Sequence, residues 1–400
     1  MTSPQLPILI AGGGIGGLTA ALALLRRGHA VRVLEQASAL GEVGAGLQLS
    51  ANATRALELL GVGDALRAVS AEPAGKEVRL WSTGQTWKLF DLGPRSVQDY
   101  GHPYYTLYRP DLHKVLVDAV QALDPEAIVL NARVLGFAQD AESVTVRLQE
   151  GPSVTGRALI GADGVHSPIR HQLFGDGKAE YSGCMAWRGV IPTSRLPERL
   201  LRNVGTNWVG PGRHVIHYPL RGGLLMNFVG IVETDRWVDE SWTQRGTHEE
   251  CHADFEGWHD DVHELIRHIE QPYKWALMAR PPLSSWTEGR VGLLGDACHP
   301  TLPFLAQGAV MAVEDGFVLA RAIDACPDDV PQALHRYEAA RIGRTTDIVV
   351  KSTENGRRFH NPELAHAEGA AAYVDREWSE DKVKSRYEWL FRYQVDTVPI

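Results

Sequence analysis

Short apolar runs and glycine turns divide the N-terminal part of the chain into strands and helices. The apolar run Pro7–Ala11 leads into a glycine-rich turn at 12–17, and leucines then recur at helical spacing over 18–25. The run Ala30–Leu34 is rich in β-branched residues and ends at Glu35. This order predicts a strand–turn–helix–strand unit, which is the usual opening of a parallel α/β sheet.

Later parts of the chain repeat the pattern of a strand followed by a turn, at Ala158–Ile160, Ile216–Pro219 and Val291–Leu294. Beyond Gly308, apolar residues that would share one face of a helix recur at Val310, Val313, Phe317 and Ala320. Residues 181–280 are different: they contain aromatic-rich, strand-like pieces followed by one His-rich helix. The last fifty residues are expected to form helices.

Composition narrows the function classes without choosing one. Of 400 residues, 44% are hydrophobic and 22% are charged, which is typical of a folded protein of about two or three domains. A formal net charge of −9 provides no basic field for nucleic acid or an anionic membrane. The apolar stretch 8–25 is broken by glycines and is too short to span a bilayer. Together with four widely separated cysteines, this predicts a cytoplasmic protein.

The glycine turn carries a nucleotide-binding fingerprint. Gly12, Gly14 and Gly17 satisfy G-x-G-x-x-G between a strand and a helix, and Glu35 follows Gly17 by 35 − 17 = 18 residues, near the expected spacing. Without a Cβ, the backbone can approach a pyrophosphate, which the amide groups at the helix start stabilise. Glu35 would accept hydrogen bonds from a ribose diol and repel a 2′-phosphate. The alternative is a glycine-rich turn that binds no ligand.

Two further motifs carry a resemblance to a known family. Gly161-Ala162-Asp163-Gly164 and Gly295-Asp296-Ala297 resemble the DG and GD motifs of the class A flavin-dependent aromatic hydroxylases. The resemblance extends through 44–48, 108–112 and 214–223, where it is similar to the monohydroxybenzoate hydroxylases, especially the 3-hydroxybenzoate 6-hydroxylases and salicylate hydroxylases.

The resemblance implies an α/β fold. A Rossmann-like FAD-binding domain of the glutathione-reductase type, as in p-hydroxybenzoate hydroxylase, would carry an inserted substrate domain built on a mixed β-sheet, with helices at the C-terminus. The expected boundaries are 1–180 and 281–350 for the FAD-binding domain, 181–280 for the substrate-binding domain and 351–400 for the helical segment.

The resemblance also implies how FAD is held, tightly but without a covalent bond. The implied cofactor-binding residues are Gly12, Gly14, Ile15, Gly17, Glu35, Gln36, Gly46, Leu47, Arg109, Val134, Asp163, Asp296, Gly308, Ala309 and Val310. Asp296 would bind the ribityl chain, and the amides of 308–310 would lie against the pyrimidine end of the isoalloxazine. A plain helix N-cap is the alternative for Asp296, and a surface ion pair is the alternative for Arg109.

The implied reaction places chemical demands on the second domain. A flavin C4a-hydroperoxide attacks an electron-rich ring carbon in a pocket that must exclude water. Because a phenol reacts more readily when its proton is withdrawn, we expect His214 to accept that proton and Tyr218, on the same strand face, to orient the substrate. Gln48, Pro303 and Phe304 would line the pocket. A half-buried His and Tyr without a catalytic role is the alternative.

The expected activity is hydroxylation of a monohydroxybenzoate with O2 and NADH, the latter preferred to NADPH: 3-hydroxybenzoate to gentisate, or salicylate to catechol. Some 3-hydroxybenzoate 6-hydroxylases carry glutamine where Pro303 stands, whereas related salicylate and hydroxynicotinate hydroxylases carry proline, so 6-hydroxynicotinate is an alternative substrate. A flavin reductase or dehydrogenase, and a carrier that has lost FAD, are alternative functions. The intact glycines and Asp296 argue against the carrier.

Two histidine pairs at i,i+4 spacing, His248/His252 and His259/His263, are candidates for a metal site. Neither matches H-E-x-x-H, and no third ligand is placed by the sequence, so we expect no metal. The expected partners are a small aromatic acid and O2, with no nucleic acid and no membrane. A homodimer is a family-level expectation.

Overall fold

The computed structural model of the protein describes residues 6–41, 45–175, 177, 179–235 and 244–400. Gly44, in one of the family-like segments, lies outside the described residues. The strands of the described residues are, in chain order, β1 (Ile8–Ala11), β2 (Val31–Leu34), β3 (Gly46–Leu49), β4 (Ser70–Ala71), β5 (Gly75–Leu80), β6 (Thr86–Asp91), β7 (Tyr105–Tyr108), β8 (Ile128–Val129), β9 (Val134–Gln139), β10 (Val144–Leu148), β11 (Val154–Gly156), β12 (Ala158–Gly161), β13 (Glu180–Pro192), β14 (Gly205–Gly210), β15 (Arg213–Leu220), β16 (Leu225–Glu233), β17 (Tyr273–Ala279), β18 (Thr287–Glu288) and β19 (Val291–Leu293).

Helices connect and cover these strands. In chain order they are α1 (Ile15–Leu25), α2 (Ala51–Leu59), α3 (Gly63–Val69), α4 (Pro94–Tyr100), α5 (Arg109–Leu123), α6 (Pro168–Phe174), α7 (His248–Asp254), α8 (Asp260–Arg267), α9 (Gly308–Ala325), α10 (Val330–Phe359), α11 (Ala367–Glu377) and α12 (Glu380–Phe391). None of the helices in the described part of the chain is long and apolar enough to cross a membrane.

A six-stranded sheet in the order β18-β19-β12-β1-β2-β8 forms the first layer. Its strands are parallel except for the edge strand β18. The predicted N-terminal strand–turn–helix–strand unit is confirmed, as is the α/β fold class. Because β1, β12 and β19 run in parallel, the turns that follow them meet at one edge of the sheet, where ligands bind in open α/β folds.

Helices α1 and α9 pack closely beside this sheet. A Cβ added to Gly316 would lie 2.7 Å from the backbone nitrogen of Ala20, so only glycine allows this approach. The residues of α9 that were expected to share a face are all buried: Val310, Val313, Phe317 and Ala320. The predicted helix after Gly308 is therefore confirmed.

A seven-stranded sheet in the order β17-β13-β16-β15-β14-β5-β6 forms the second layer. Residues 180–279 supply β13 to β17, whereas β5 and β6 come from Gly75–Asp91. Strand β5 joins the sheet by parallel pairing with β14, Val78 opposite Asn207. The seven-stranded sheet is thus discontinuous in sequence and includes two strands from outside segment 181–280.

The prediction of one His-rich helix is wrong. Two short helices, α7 and α8, occupy this region, and Gly257 between them has a φ of +79°, a conformation that ends a helix. His259 is the N-cap of α8, where its Nδ1 accepts a hydrogen bond from the Asp261 amide. Although His259 and His263 are four residues apart, they are therefore not two residues within one helix.

Candidate active site

A cavity of about 350 Å³ lies between the turn-bearing edge of the six-stranded sheet and one face of the seven-stranded sheet. Its walls bring together many residues predicted from the sequence: Gly14, Ile15, Gly46, Leu47, Gln48, Arg109, His214, Tyr218, Asp296, Pro303, Phe304, Gly308 and Ala309. These residues come from the glycine turn and the start of α1, from β3, α5 and β15, and from the segment between Asp296 and the start of α9, so the fold gathers them into one place.

The three fingerprint glycines differ in what surrounds them. A Cβ on Gly17 would lie 2.1 Å from the carbonyl oxygen of Gly12, and a Cβ on Gly12 would lie 2.4 Å from that of Ala162. Gly12 also has a φ of +104°, which side chains rarely adopt. A Cβ on Gly14, by contrast, would have nothing within 4 Å. Gly12 and Gly17 therefore allow the turn to close, whereas Gly14 opens onto free space in the cavity.

Glu35 and His113 hold the glycine turn from outside. The Gly13 amide donates to Glu35 Oε2 at 2.7 Å, and Glu35 Oε1 accepts from the Ala37 amide at 2.8 Å. Buried His113, at the start of α5, lies with its Nε2 2.8 Å from the Gly13 carbonyl oxygen. This leaves the amides at the start of α1 facing the cavity, since the N-cap Gly14 has no side chain to satisfy them.

A second helix start faces the same cavity. Gly308, Ala309 and Ala312 of α9 line it, and the N-cap residue Gln307 makes no side-chain cap. Asp296 also lines the cavity and is solvent-exposed, in a short 3-10 turn at Gly295–Ala297 that has no side-chain cap. The alternative of a plain helix N-cap for Asp296 thus fails in this structure.

These features fit FAD. The two uncapped helix starts at α1 and α9 offer amide groups to a pyrophosphate and to the electron-rich end of a flavin ring. The free space beside Gly14 would let a pyrophosphate lie close to the backbone. Asp296 adds a carboxylate, which is an acceptor for sugar hydroxyl groups.

Other predicted cofactor residues lie outside the cavity walls: Gly12, Gly17, Glu35, Gln36, Val134, Asp163 and Val310. Gln36 is exposed beyond β2, Val134 is buried in the core and Val310 is buried inside α9. Asp163 Oδ2 lies 3.4 Å from the Ile169 amide at the start of α6, and burial raises the pKa of its carboxyl to about 6. Arg109 begins α5 and lines the cavity.

The opposite wall is formed by one face of β15. His214, Ile216 and Tyr218 line the cavity, as alternate residues of a strand should. His217 lies on the other face, buried and without a hydrogen-bond partner among the described residues, and burial lowers its pKa to about 3. The predicted separation of His214 from His217 is confirmed.

His214 is buried and makes a hydrogen bond with another histidine. Its Nδ1 lies 2.6 Å from Nε2 of His360, and its ring is 5.6 Å from that of Phe304 and 5.2 Å from that of Phe359. Burial and, secondarily, the nearby His360 lower the pKa of His214 well below its usual range. The imidazole is therefore neutral at neutral pH and retains Nε2 for a ligand.

A chain of hydrogen bonds connects Tyr218 to the partly buried amine of Lys76. Tyr218 bonds to the Gln48 side chain, Tyr104 donates to Gln48 Oε1 at 2.7 Å, and Lys76 Nζ donates to the Tyr104 hydroxyl at 2.7 Å. Burial lowers the pKa of Lys76 to about 7. Among the described residues no carboxylate lies within ion-pair distance of Lys76. The neighbouring Glu77 pairs instead with Arg79 and Arg202.

Several residues of this wall carried no sequence signal. Lys76, Arg188, Phe359 and Tyr387 line the cavity and come from four separate elements. No motif marks them, because each is brought in by strand pairing or by helix docking. The aromatic character of the segment around Tyr387 is the one sequence signal that could have suggested a wall residue.

The histidine pairs do not form a metal centre in the described residues. His252 and His263 face each other with their Nδ1 atoms 2.8 Å apart, and His248 bonds to the Ile269 carbonyl. The group of potential ligands that the described residues do bring together is Cys298, His299 and Asp315. Asp315 already binds Arg341 at 2.7 Å and accepts from the Gly295 amide at 3.1 Å, so this buried group supports the GD turn.

Known proteins match this chain over nearly its whole length. The family described as "FAD binding domain" matches residues 5–352. A 3-hydroxybenzoate 6-hydroxylase of Polaromonas naphthalenivorans is 39% identical, covering 98% of this chain and 97% of the relative. A 6-hydroxynicotinate 3-monooxygenase of Pseudomonas fluorescens is 35% identical, covering 87% of this chain and 90% of the relative. Among solved structures, Klebsiella pneumoniae HpxO complexed with FAD and uric acid has a TM-score of 0.83 at 26% identity, covering 98% and 97%.

Proposed function

The chain belongs to the FAD-binding-domain family of flavin-dependent monooxygenases, and from this premise we propose that it hydroxylates a monohydroxybenzoate. The protein is an FAD-dependent aromatic-ring monooxygenase that uses O2. The proposal extends to 3-hydroxybenzoate as substrate, to NADH as a transient reductant preferred to NADPH, and to a homodimer. Relatives named for hydroxybenzoate substrates support the substrate class.

The observation that carries the proposal is the shared cavity. One wall consists of helix starts and the Asp296 turn, and the opposite wall presents His214 and Tyr218. Bound FAD would supply the activated oxygen. A substrate held against β15 would lie in the same cavity as that oxygen source and the imidazole.

His214 is the proposed acceptor of the substrate's phenol proton. Its Nδ1 is used by His360, and a neutral imidazole has a lone pair on its other nitrogen. Taking the proton makes the ring carbon more nucleophilic, which is what an electrophilic oxygen requires. Tyr218, on the same strand face, is the proposed orienting hydroxyl.

Lys76 and Arg188 are proposed to favour a carboxylated substrate. Both line the cavity although the chain has a formal net charge of −9. The Lys76 ammonium has only the Tyr104 hydroxyl and two aromatic faces as described neighbours, so an anion would gain a charge-assisted hydrogen bond there. Burial lowers the pKa of Arg188 to about 10, which leaves it charged at neutral pH.

Apolar side chains would exclude water from the reacting ring. Phe304 and Leu305 of the short turn at Pro303–Leu305, together with Phe359 and Tyr387, form this part of the wall. Phe304 is anchored from α10, where Asn355 Nδ2 donates to its carbonyl oxygen at 2.8 Å. Keeping water out would preserve the activated oxygen for the substrate.

Pro303 supports a second candidate substrate. It lines the cavity and has no side-chain donor, so it offers a substrate no polar side-chain contact. The relative named 6-hydroxynicotinate 3-monooxygenase makes 6-hydroxynicotinate the alternative.

The test is a coupled screen of the FAD-loaded protein. Oxidation of NADH and of NADPH is measured with 3-hydroxybenzoate, salicylate, 4-hydroxybenzoate, gentisate and 6-hydroxynicotinate. The molecular mass of each product is measured after reaction under ¹⁸O2. The expected result is faster NADH oxidation with 3-hydroxybenzoate and a product carrying one labelled oxygen.

Equal, slow oxidation with every hydroxybenzoate would contradict the proposal. Acceleration by 6-hydroxynicotinate alone would select the second candidate. Anaerobic turnover with an artificial acceptor, without incorporation of label, would favour a reductase.

A further inference from the structure

A continuous chain of three side chains runs from the cavity to the protein surface. Nδ1 of His214 lies 2.6 Å from Nε2 of His360, and Nδ1 of His360 lies 2.8 Å from Oε1 of Glu233. The His214 residue is 4% exposed, and the side chains of His360 and Glu233 are 3% and 54% exposed. Burial therefore ends at Glu233, where the chain of hydrogen bonds meets solvent.

The carboxylate fixes the tautomers of both rings. The hydrogen bond from His360 keeps the pKa of the Glu233 carboxyl below its usual range, so Glu233 is ionised and can only accept. Nδ1 of His360 must then carry the proton that it donates, which makes its Nε2 the acceptor. His214 in turn donates from Nδ1, and its Nε2 is left with a lone pair for the cavity.

Backbone hydrogen bonds fix the positions of the three residues relative to one another. The Gly212 amide donates to the His360 carbonyl at 3.1 Å, and the Glu233 amide donates to the Gly212 carbonyl at 2.9 Å. His360 is also the C-cap of the thirty-residue helix α10.

We propose that His360 and Glu233 form a proton relay that carries the substrate's phenol proton from His214 to solvent. This inference rests on the proposed function, because it needs a phenolic substrate beside His214. It makes His360 and Glu233 positioning and relay residues, since neither lines the cavity where the ring would bind.

The proton balance of the relay is complete. The phenol O–H bond breaks as an N–H bond forms at Nε2 of His214; the Nδ1 proton of His214 then moves to Nε2 of His360. The Nδ1 proton of His360 moves to Glu233, whose carboxylic acid releases it to water. The substrate gains one negative charge and the solvent gains one proton. Protonation of the product phenolate reverses each transfer and restores the starting tautomers.

The first arm of the test needs no substrate. ¹⁵N NMR of FAD-loaded protein labelled at histidine, with signals assigned through His214→Asn and His360→Asn, reads the protonated nitrogen of each ring. The relay requires Nδ1–H on both rings. A proton on Nε2 of His360 in the resting protein would overturn it.

The second arm measures transfer. FAD-loaded protein is mixed with 3-hydroxybenzoate without reductant, and phenolate absorbance is followed in H2O and D2O. Glu233→Gln keeps a carbonyl acceptor but cannot take a proton, so phenolate formation should slow by roughly ten-fold or more, while the ligand's Kd stays within about two-fold. Added formate, which can replace a missing acid at an exposed site, should restore part of the rate.

Asp235→Asn is the matched control. It removes one negative charge from an exposed residue two positions away, without a described contact to His360. It should ionise the ligand at the wild-type rate. A Glu233→Gln protein that matches Asp235→Asn would overturn the relay.

The two hypotheses fail differently. If the wild-type protein ionises no hydroxybenzoate and none accelerates NADH oxidation, the proposed substrate is wrong, and the tautomers read in the first arm still decide the hydrogen-bond chain. If the wild-type protein ionises the ligand and Glu233→Gln does so equally fast, only the relay is wrong.

Discussion

The two walls of the cavity are built in different ways. The wall beside the six-stranded sheet is made mostly of backbone: the glycine turn and the starts of α1 and α9 present amide groups to the cavity. The wall beside the seven-stranded sheet is made of side chains, among them Lys76, His214 and Phe359, which are far apart in sequence. Substitutions that add atoms should therefore disturb the backbone wall most. Substitutions that remove side-chain atoms should disturb the side-chain wall most.

Gly17→Ala should have the largest effect of all. Its Cβ would lie 2.1 Å from a backbone carbonyl that cannot move without opening the turn, and we expect a loss of about 3 kcal/mol in the free energy of unfolding. Thermal unfolding of the protein without added FAD measures this. A variant as stable as the wild type would show that the turn is not closed as described.

His214→Asn should have the next largest effect, this time on chemistry. Without the proton acceptor, product formed per NADH oxidised should fall by about 100-fold, while bound FAD and its yellow colour remain. Product and hydrogen peroxide are measured together.

His217→Gln is the matched control for His214→Asn, since it changes a histidine three residues further along the same strand, on the opposite face. It should leave coupling unchanged. Equal product yields from His214→Asn and the wild type would remove His214 from the mechanism.

Gly14→Ala tests the backbone wall without disturbing the fold. Its Cβ meets nothing within 4 Å, so the free energy of unfolding of the apoprotein should change by less than about 0.5 kcal/mol. Crowding of the pyrophosphate should cost about 1–3 kcal/mol of binding, or about 5- to 150-fold in the Kd of FAD. Titration of the apoprotein with FAD checks this, and an unchanged Kd would place the pyrophosphate elsewhere.

Lys76→Met should have the smallest of these effects. Loss of the cation should raise the KM for a hydroxybenzoate by about ten-fold with little change in kcat, since no proton transfer is removed. Because the pKa of Lys76 is lowered to about 7, wild-type affinity for the anion should fall as pH rises above 7, when the free ammonium loses its proton.

The Lys76→Met variant should lack this dependence on pH between about 7 and 9. An identical pH profile for variant and wild type would assign the anion to Arg188 or Arg109 instead.

The same contrast explains what could be predicted from the sequence. A backbone wall leaves local motifs, because Gly12, Gly14 and Gly17 must be glycine at fixed spacing, and Asp296 must follow its strand. His214 and Tyr218 could be predicted to share a wall because they lie four residues apart, on one face of a strand, within a family-like segment. Lys76 and His360 were missed because their positions depend on β5 pairing with β14 and on where α10 ends.

The one wrong helix has a local cause. The spacing of His248, His252, His259 and His263 resembles one amphipathic helix, but Gly257 turns the chain between the second and third histidines. A single glycine in a helical pattern is often tolerated, so periodicity alone could not place the break. His113 was missed for a different reason: a lone buried histidine that bonds a carbonyl has no characteristic neighbours.

The strand order of the six-stranded sheet also governs when this protein can acquire its cofactor during synthesis. A nascent chain that has emerged as far as residue 280 contains β1, β2, β8 and β12, yet it lacks β19, the Asp296 turn, α9 and His360. Neither wall is therefore complete until the segment from β19 to His360 has also emerged. A chain truncated before residue 291 would therefore lack both the Asp296 carboxylate and the helix start at Gly308, two of the features that fit FAD.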